Sequence, residues 1–169
     1  MKQPCRFDFW SQRDLHMIRP APARIAKPNV SDRLLFVPED ALLIASLGQF
    51  SEGALFGRVA IASSEIVGAA LTQHILRVYV SPGTSFQLYA FLSTRIGLQL
   101  LRTTAIGNSI PMMRLDLVRN LPAPALEESV AKRVDNHIKQ GLEARVNFIR
   151  AEKEAVRIIE EEVLPEWLA

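Results

Sequence analysis

The apolar positions along the chain change their spacing twice, and the two changes divide it into three stretches. Through residues 1–33 few apolar positions recur at a fixed interval, and Pro4, Pro20, Pro22 and Pro28 interrupt any helix, so this stretch reads as irregular. From Arg33 the pattern becomes a series of short runs: Leu34-Leu35-Phe36-Val37, Ala41 to Leu47, Arg58 to Ala62 and His74 to Val80. Gly, Pro, Ser and acidic residues separate them, which predicts strands of a compact mixed sheet or barrel. The turn Ser81-Pro82-Gly83-Thr84 closes the last strand. Thr84 or Ser85 then caps a helix running to about Arg102, apolar on most sides and expected to be largely buried against the sheet. Thr103 to Ser109 is a polar break, followed by an apolar run from Ile110 to Met113. The segment Asn120-Leu121-Pro122-Ala123-Pro124 is a stiff, extended connector, because each Pro fixes its own φ and biases its predecessor away from helix.

The third stretch carries the clearest periodicity. From about Ala125 to Val163 there is no proline and a single glycine, Gly141. Val130, Val134, Ile138, Leu142, Val146, Ile149, Val156, Ile159 and Val163 follow one another mostly at three- and four-residue steps, and Pro165 is expected to end the helix. A helix of this size is about 55–60 Å long at 1.5 Å per residue. That exceeds what a head of this mass is expected to cover, so the stripe predicts a partner helix, from a larger complex or a second copy. Gly141 costs about 1 kcal/mol relative to alanine, which either a close helix crossing or a simple weak point accounts for. The expected architecture is therefore α+β. A compact, barrel-like mixed sheet with a packed helix occupies residues 1–124, and a long coiled-coil-type helix occupies 125–169.

Composition narrows the function classes. Hydrophobic residues make up 49% of the 169 and charged residues 22%, as in a folded domain with a substantial core. The net charge of +2 hides an asymmetry: residues 1–120 hold 13 Lys/Arg against 8 Asp/Glu, and residues 121–169 hold 7 against 10. A basic body with an acidic tail suits a polyanion facing the body, although the same cations also suit ordinary solvated surface. Cys5 is the lone cysteine, so no internal disulfide forms, and no Cys/His cluster has zinc-ligand spacing. With neither a signal-peptide pattern nor a membrane-spanning stretch, cytoplasmic residence is the default expectation.

Catalytic patterns are missing. The glycine-rich loop from Ser46 to Arg58 lacks the GxxxxGK[ST] phosphate loop and opens no helix. Its glycines let backbone amides approach a phosphate, or serve a long hairpin loop. Gly107-Asn108-Ser109-Ile110-Pro111 lacks the second glycine of a nucleophile elbow. His16, His74 and His137 stand far apart with no nucleophile or metal partner in view, and Glu152-Lys153, the nearest approach to a nuclease pattern, lies on the long helix. The expectation is a chain without catalysis or cofactor of its own.

The order of segments carries more. Gly57-Arg58-Val59-Ala60-Ile61 is followed by Gln73-His74-Ile75-Leu76-Arg77-Val78 and Leu88-Tyr89-Ala90-Phe91-Leu92-Ser93-Thr94, then by Gly107-Asn108-Ser109-Ile110-Pro111-Met112, Asn120-Leu121-Pro122-Ala123-Pro124 and the long helix. From about Leu34 to Val163 this resembles the target recognition domain and spacer helix of type I restriction–modification DNA specificity subunits. The resemblance implies a mixed α/β domain whose loops enter the DNA major groove, and spacer helices that pair antiparallel to set the distance between half-sites. It places catalysis in separate methyltransferase and translocase/endonuclease subunits. A full family member has two recognition domains and two spacer helices. One of each here implies a half-subunit that dimerises on a bipartite target, or a piece of a longer polypeptide. The N-terminal third is also shorter and richer in proline than the family's usual entry strands.

On this reading Arg58, Arg77, Arg102 and Arg114 are candidates for phosphate contacts. Gln49, Thr72, Gln73, Thr103, Thr104, Asn108 and Ser109 are candidates for base reading, with Asn108 and Gln73 suited to bidentate pairing with adenine. Gly-Asn-Ser is equally ordinary turn chemistry. A rival reading is a coiled-coil adaptor whose globular head binds a protein or peptide. A small hydrolase using Ser109 or His74 lacks the necessary constellation.

Overall fold

The computed structural model describes residues 6–26, 36–81 and 83–168. Residues 34 and 35 of the first expected strand lie outside them, and Phe36 and Val37 are not in a strand. In chain order the elements are β1 (Arg6–Trp10), α1 (Gln12–His16), β2 (Ala23–Ala26), β3 (Leu42–Ala45), β4 (Val59–Ile61), β5 (Ala70–Leu71) and β6 (Ile75–Val78). There follow α2 (Ser85–Leu92), α3 (Arg95–Thr103), β7 (Ala105–Ile106), β8 (Met112–Met113), α4 (Leu115–Arg119) and α5 (Glu128–Ile158). A π-helical turn (Ile159–Val163) and α6 (Leu164–Trp167) are the last described elements. The fold is α+β. Its strands form small open sheets, ordered β2-β1-β5, β4-β3-β6 and β7-β8, and no barrel closes among the described residues.

β3 organises the head. Leu42, Leu43, Ile44 and Ala45 are all fully buried, because β3 lies between β4 and β6, antiparallel to both, and is covered on each face. Leu43 packs into a cluster with Trp10, Leu15, Ala60, Ile66 and Leu71, toward the first sheet. Leu42 and Ile44 point the other way, into a cluster with Phe56, Ile61, Leu92, Leu101 and Met113 beneath the helices. A strand buried on both faces needs an unbroken apolar run rather than an alternating one, which is what Ala41 to Ala45 supplies.

The first stretch corrects the expectation of irregularity. β1 pairs antiparallel with β2 and parallel with β5, and Ser11 opens α1 with a reciprocal cap in which its hydroxyl and the Asp14 carboxylate satisfy each other's backbone amides. Pro20 and Pro22 fall between α1 and β2, and Pro4 and Pro28 lie outside the described residues. The single helix expected to about Arg102 is two. Thr94 accepts a hydrogen bond from the Gly97 amide at 3.0 Å and starts α3 on a new axis. A Cβ on Gly97 would lie 2.3 Å from the Phe91 carbonyl oxygen, so this close turn requires glycine. Burial is also less than expected: along the pair only Leu92, Gly97 and Leu101 are buried, and Ile96 is exposed.

The long helix forms, but its stripe is divided. Leu142 packs on the second cluster, Ile149 is 4% exposed, and Val134, Ile138 and Val146 are half-buried. Hydrogen bonds from Gln87 to Asp135 (3.2 Å) and from Arg145 to the Met17 carbonyl (2.8 Å), with an Arg19–Glu152 ion pair, hold α5 along the head. The head therefore covers the middle of the stripe itself, contrary to the expectation that a partner helix must. Val130, Val156, Ile159 and Val163 remain exposed. The helical path also runs past Pro165 to Trp167. Proline crowds the carbonyl four residues back, and the wider π turn just before it relieves that crowding. No helix of the described residues is long and apolar enough to cross a membrane.

Candidate nucleic-acid interface

Ser46, at the end of β3, is the point where three loops meet. Its amide and hydroxyl both donate to the His74 carbonyl, at 3.0 and 2.7 Å, which fixes the turn before β6. Its carbonyl accepts from the Met113 amide at 3.0 Å, and the Gly48 amide donates to the Pro111 carbonyl at 3.1 Å, so the β7-β8 hairpin adds to the same edge. Leu47 and Met112 form an antiparallel bridge there. The Arg58 carbonyl accepts from the Ala45 amide at 3.0 Å and brings the glycine-rich loop back beside them. Gln49, Arg58, Thr72, Gln73, Arg102, Thr103, Asn108 and Ser109 are thereby carried to one end of the head by the ends of β3, β4, β6 and α3 and by the hairpin.

Their roles separate on inspection. Gln49, Gln73, Thr103, Asn108 and Ser109 are exposed, and Thr72 is half-buried. Thr104 is 2% exposed and its hydroxyl donates to the Leu101 carbonyl at 2.6 Å, so the expected base contact by Thr104 is corrected to a helix-end role. Asn108 and Ser109 form the hairpin tip. Gly107 supplies the left-handed backbone there (φ 96°), and outside glycine only Asp40 among the described residues has positive φ. Asn108 is thus not needed for a left-handed turn conformation.

The arginines are less free than expected. Arg58 donates to the Ala54 and Glu52 carbonyls, both at 3.3 Å, and Arg102 to the Phe56 and Ser51 carbonyls at 3.2 and 3.0 Å. Both guanidinium groups shape the 46–58 loop while keeping their positive charge beside it. Arg114 is paired with Asp116, whose carboxyl is held below its ordinary pKa by that hydrogen bond, and the pair is locally neutral. Arg77 lies opposite Leu43 in the sheet and lines a separate cavity of about 390 Å³ with Tyr79, Leu88, Arg119 and Leu121, away from the loop end. The phosphate-contact expectation accordingly narrows to Arg58 and Arg102.

Apolar residues at the same end were not anticipated. Ile106 and Met112 face each other across the hairpin, Ile110 sits at its tip, and Phe50 packs edge-on against the buried Phe56; Ile106, Met112, Ile110 and Phe50 are all exposed. The run Ile110 to Met113 was visible in the sequence, but its apolarity alone pointed inward.

The chain matches no family model and no curated protein. Away from the loop end, His16 lies where α1, β4 and α5 meet. Burial, then the nearby Arg58 and Arg145 charges, push its pKa below the ordinary histidine value. Among the described residues no group of three or more His, Cys, Asp or Glu side chains is arranged to hold a metal ion.

Proposed function

We propose that this chain recognises duplex DNA sequence-selectively, as the specificity subunit or half-subunit of a cytoplasmic restriction–modification complex. Methylation and cleavage then reside in partner methyltransferase and translocase/endonuclease subunits, and a homodimer through the C-terminal helix presents two heads to a bipartite target. One observation carries the reading: three loops are tied at Ser46 so that Gln49, Gln73, Asn108 and Ser109, all exposed amides or hydroxyls, share one end with two guanidinium groups. Amide side chains offer the paired donor and acceptor that a base edge needs, while the cations suit the flanking phosphates. The order of segments that resembles specificity subunits supports the same assignment. Fluorescence anisotropy with a short random-sequence duplex tests it. Binding in about 50 mM salt that weakens by at least about tenfold in about 200 mM is expected.

The adaptor reading draws on a different observation, the exposed Val156, Ile159, Val163 and Trp167 at the end of the helical path. An adaptor leaves the duplex unbound at both salt concentrations.

A further inference from the structure

The hairpin tip carries an apolar surface that packing does not explain. Ile110 is 63% exposed, and Ile106 and Met112, paired directly across the strands, are 47% and 49% exposed. This is not a slack loop. Pro111 and Met113, on the β8 side, are buried beneath it and tied to the 46–48 segment by backbone hydrogen bonds, and β7 pairs with β8. Apolar side chains held in water on a braced hairpin are stabilised only when something covers them.

Three features choose the occupant. The surface is one two-stranded ribbon wide, which fits a major groove about 12 Å across. It is interrupted by Asn108 and Ser109, whereas a stable protein interface covers about 800 Å² per partner with a continuous apolar centre. Arg58 and Arg102 keep their charge on the adjoining loop. Within the major groove the thymine C5-methyl is the one apolar group among the base edges, and it lies beside the adenine edge that an Asn side chain pairs with.

We infer that the hairpin tip reads thymine: Ile110, flanked by Ile106 and Met112, covers a thymine methyl while Asn108 contacts the neighbouring base edge. The inference rests on the duplex-DNA reading above, and it assigns the hairpin to A·T-containing positions of the target.

The test selects duplexes bound by the full chain from a random library, then remakes the selected duplex with uracil in place of thymine. Uracil removes only the methyl and leaves base pairing and phosphates unchanged. Affinity is expected to fall about fourfold for each methyl covered. Ile110→Ser should bind the thymine and uracil duplexes alike, while Ile110→Val keeps the difference. Because Ile110 is exposed, neither change threatens the fold, and circular dichroism confirms that. Equal wild-type affinity for the thymine and uracil duplexes overturns the thymine inference and leaves DNA recognition standing. Retention of no duplex at low salt overturns the recognition reading itself, and the inference with it.

Discussion

Thr104 and Asn108 stand four positions apart in a polar segment, and folding separates them completely. The Thr104 hydroxyl is buried against the Leu101 carbonyl at 2.6 Å, whereas Asn108 is exposed at a hairpin tip whose left-handed turn is supplied by Gly107. Composition made both plausible base readers; burial of Thr104 and its hydrogen bond to Leu101 distinguish them. Thr104→Val should therefore lower stability by about 1 kcal/mol in urea denaturation while leaving DNA affinity unchanged. Asn108→Ala should do the reverse, weakening binding to a selected duplex by about 1–3 kcal/mol with little change in stability. His16 gives a pH test at the same scale. Its folded pKa lies below the ordinary 6.5, so below that pH the unfolded chain binds the proton more readily than the folded one. The stability associated with neutral His16 is thus fully present above about pH 6.5 and is lost as pH falls through the folded value. Urea midpoints should fall from about pH 7 to about pH 5, and His16→Gln should flatten that part of the curve. An unchanged slope in the variant would place the acid sensitivity elsewhere.

Elements were legible where their pattern was local. The strands β3, β4 and β6 fall inside the apolar runs at Ala41 to Leu47, Arg58 to Ala62 and His74 to Val80, and the long helix follows its three- and four-residue spacing. β1 was hidden because one of its partners, β5, is a two-residue parallel strand sixty residues downstream, and no local pattern announces such pairing. The break between α2 and α3 was hidden for another reason. Ser93 and Thr94 fit an exposed helix face, and the turn shows only in the structure, through the Thr94 cap on the Gly97 amide and the proximity of Gly97 to the Phe91 carbonyl. The two helical glycines now predict opposite outcomes. Gly97→Ala should destabilise the chain by about 3 kcal/mol, because the new methyl meets backbone that cannot give way. At Gly141 an added Cβ meets nothing within 4 Å, so no crossing among the described residues demands glycine there. Gly141→Ala should raise stability by about 0.5–1 kcal/mol. Thermal or urea melts of the two variants, compared with the wild type, decide both.

For the whole molecule the divided stripe of α5 matters most. Its middle is committed to the head through Leu142 and Ile149, which fixes the direction of the helix relative to the loop end. The stripe positions left for a second copy are Val130 near one end and Val156, Ile159 and Val163 near the other, with Phe148 and Ile158 also exposed. Antiparallel pairing brings opposite ends of two such helices together. The pair Val156→Glu and Ile159→Glu should therefore turn a dimer into a monomer in light scattering at tens of micromolar. A wild-type monomer under those conditions would remove the half-subunit arrangement while leaving the head's own binding open to test. The central claim is that the end of the head built around Ser46 distinguishes one duplex sequence from another. Its most direct measurement is competition between a selected duplex and a scrambled duplex of equal composition, for the wild type and for a chain with Asn108, Ser109 and Ile110 all replaced by Gly. The account predicts a preference of at least about 10³ in the wild type, lost in the replaced chain although weak, salt-sensitive binding remains. Equal competition by both duplexes in the wild type, or an undiminished preference after the replacement, would contradict it.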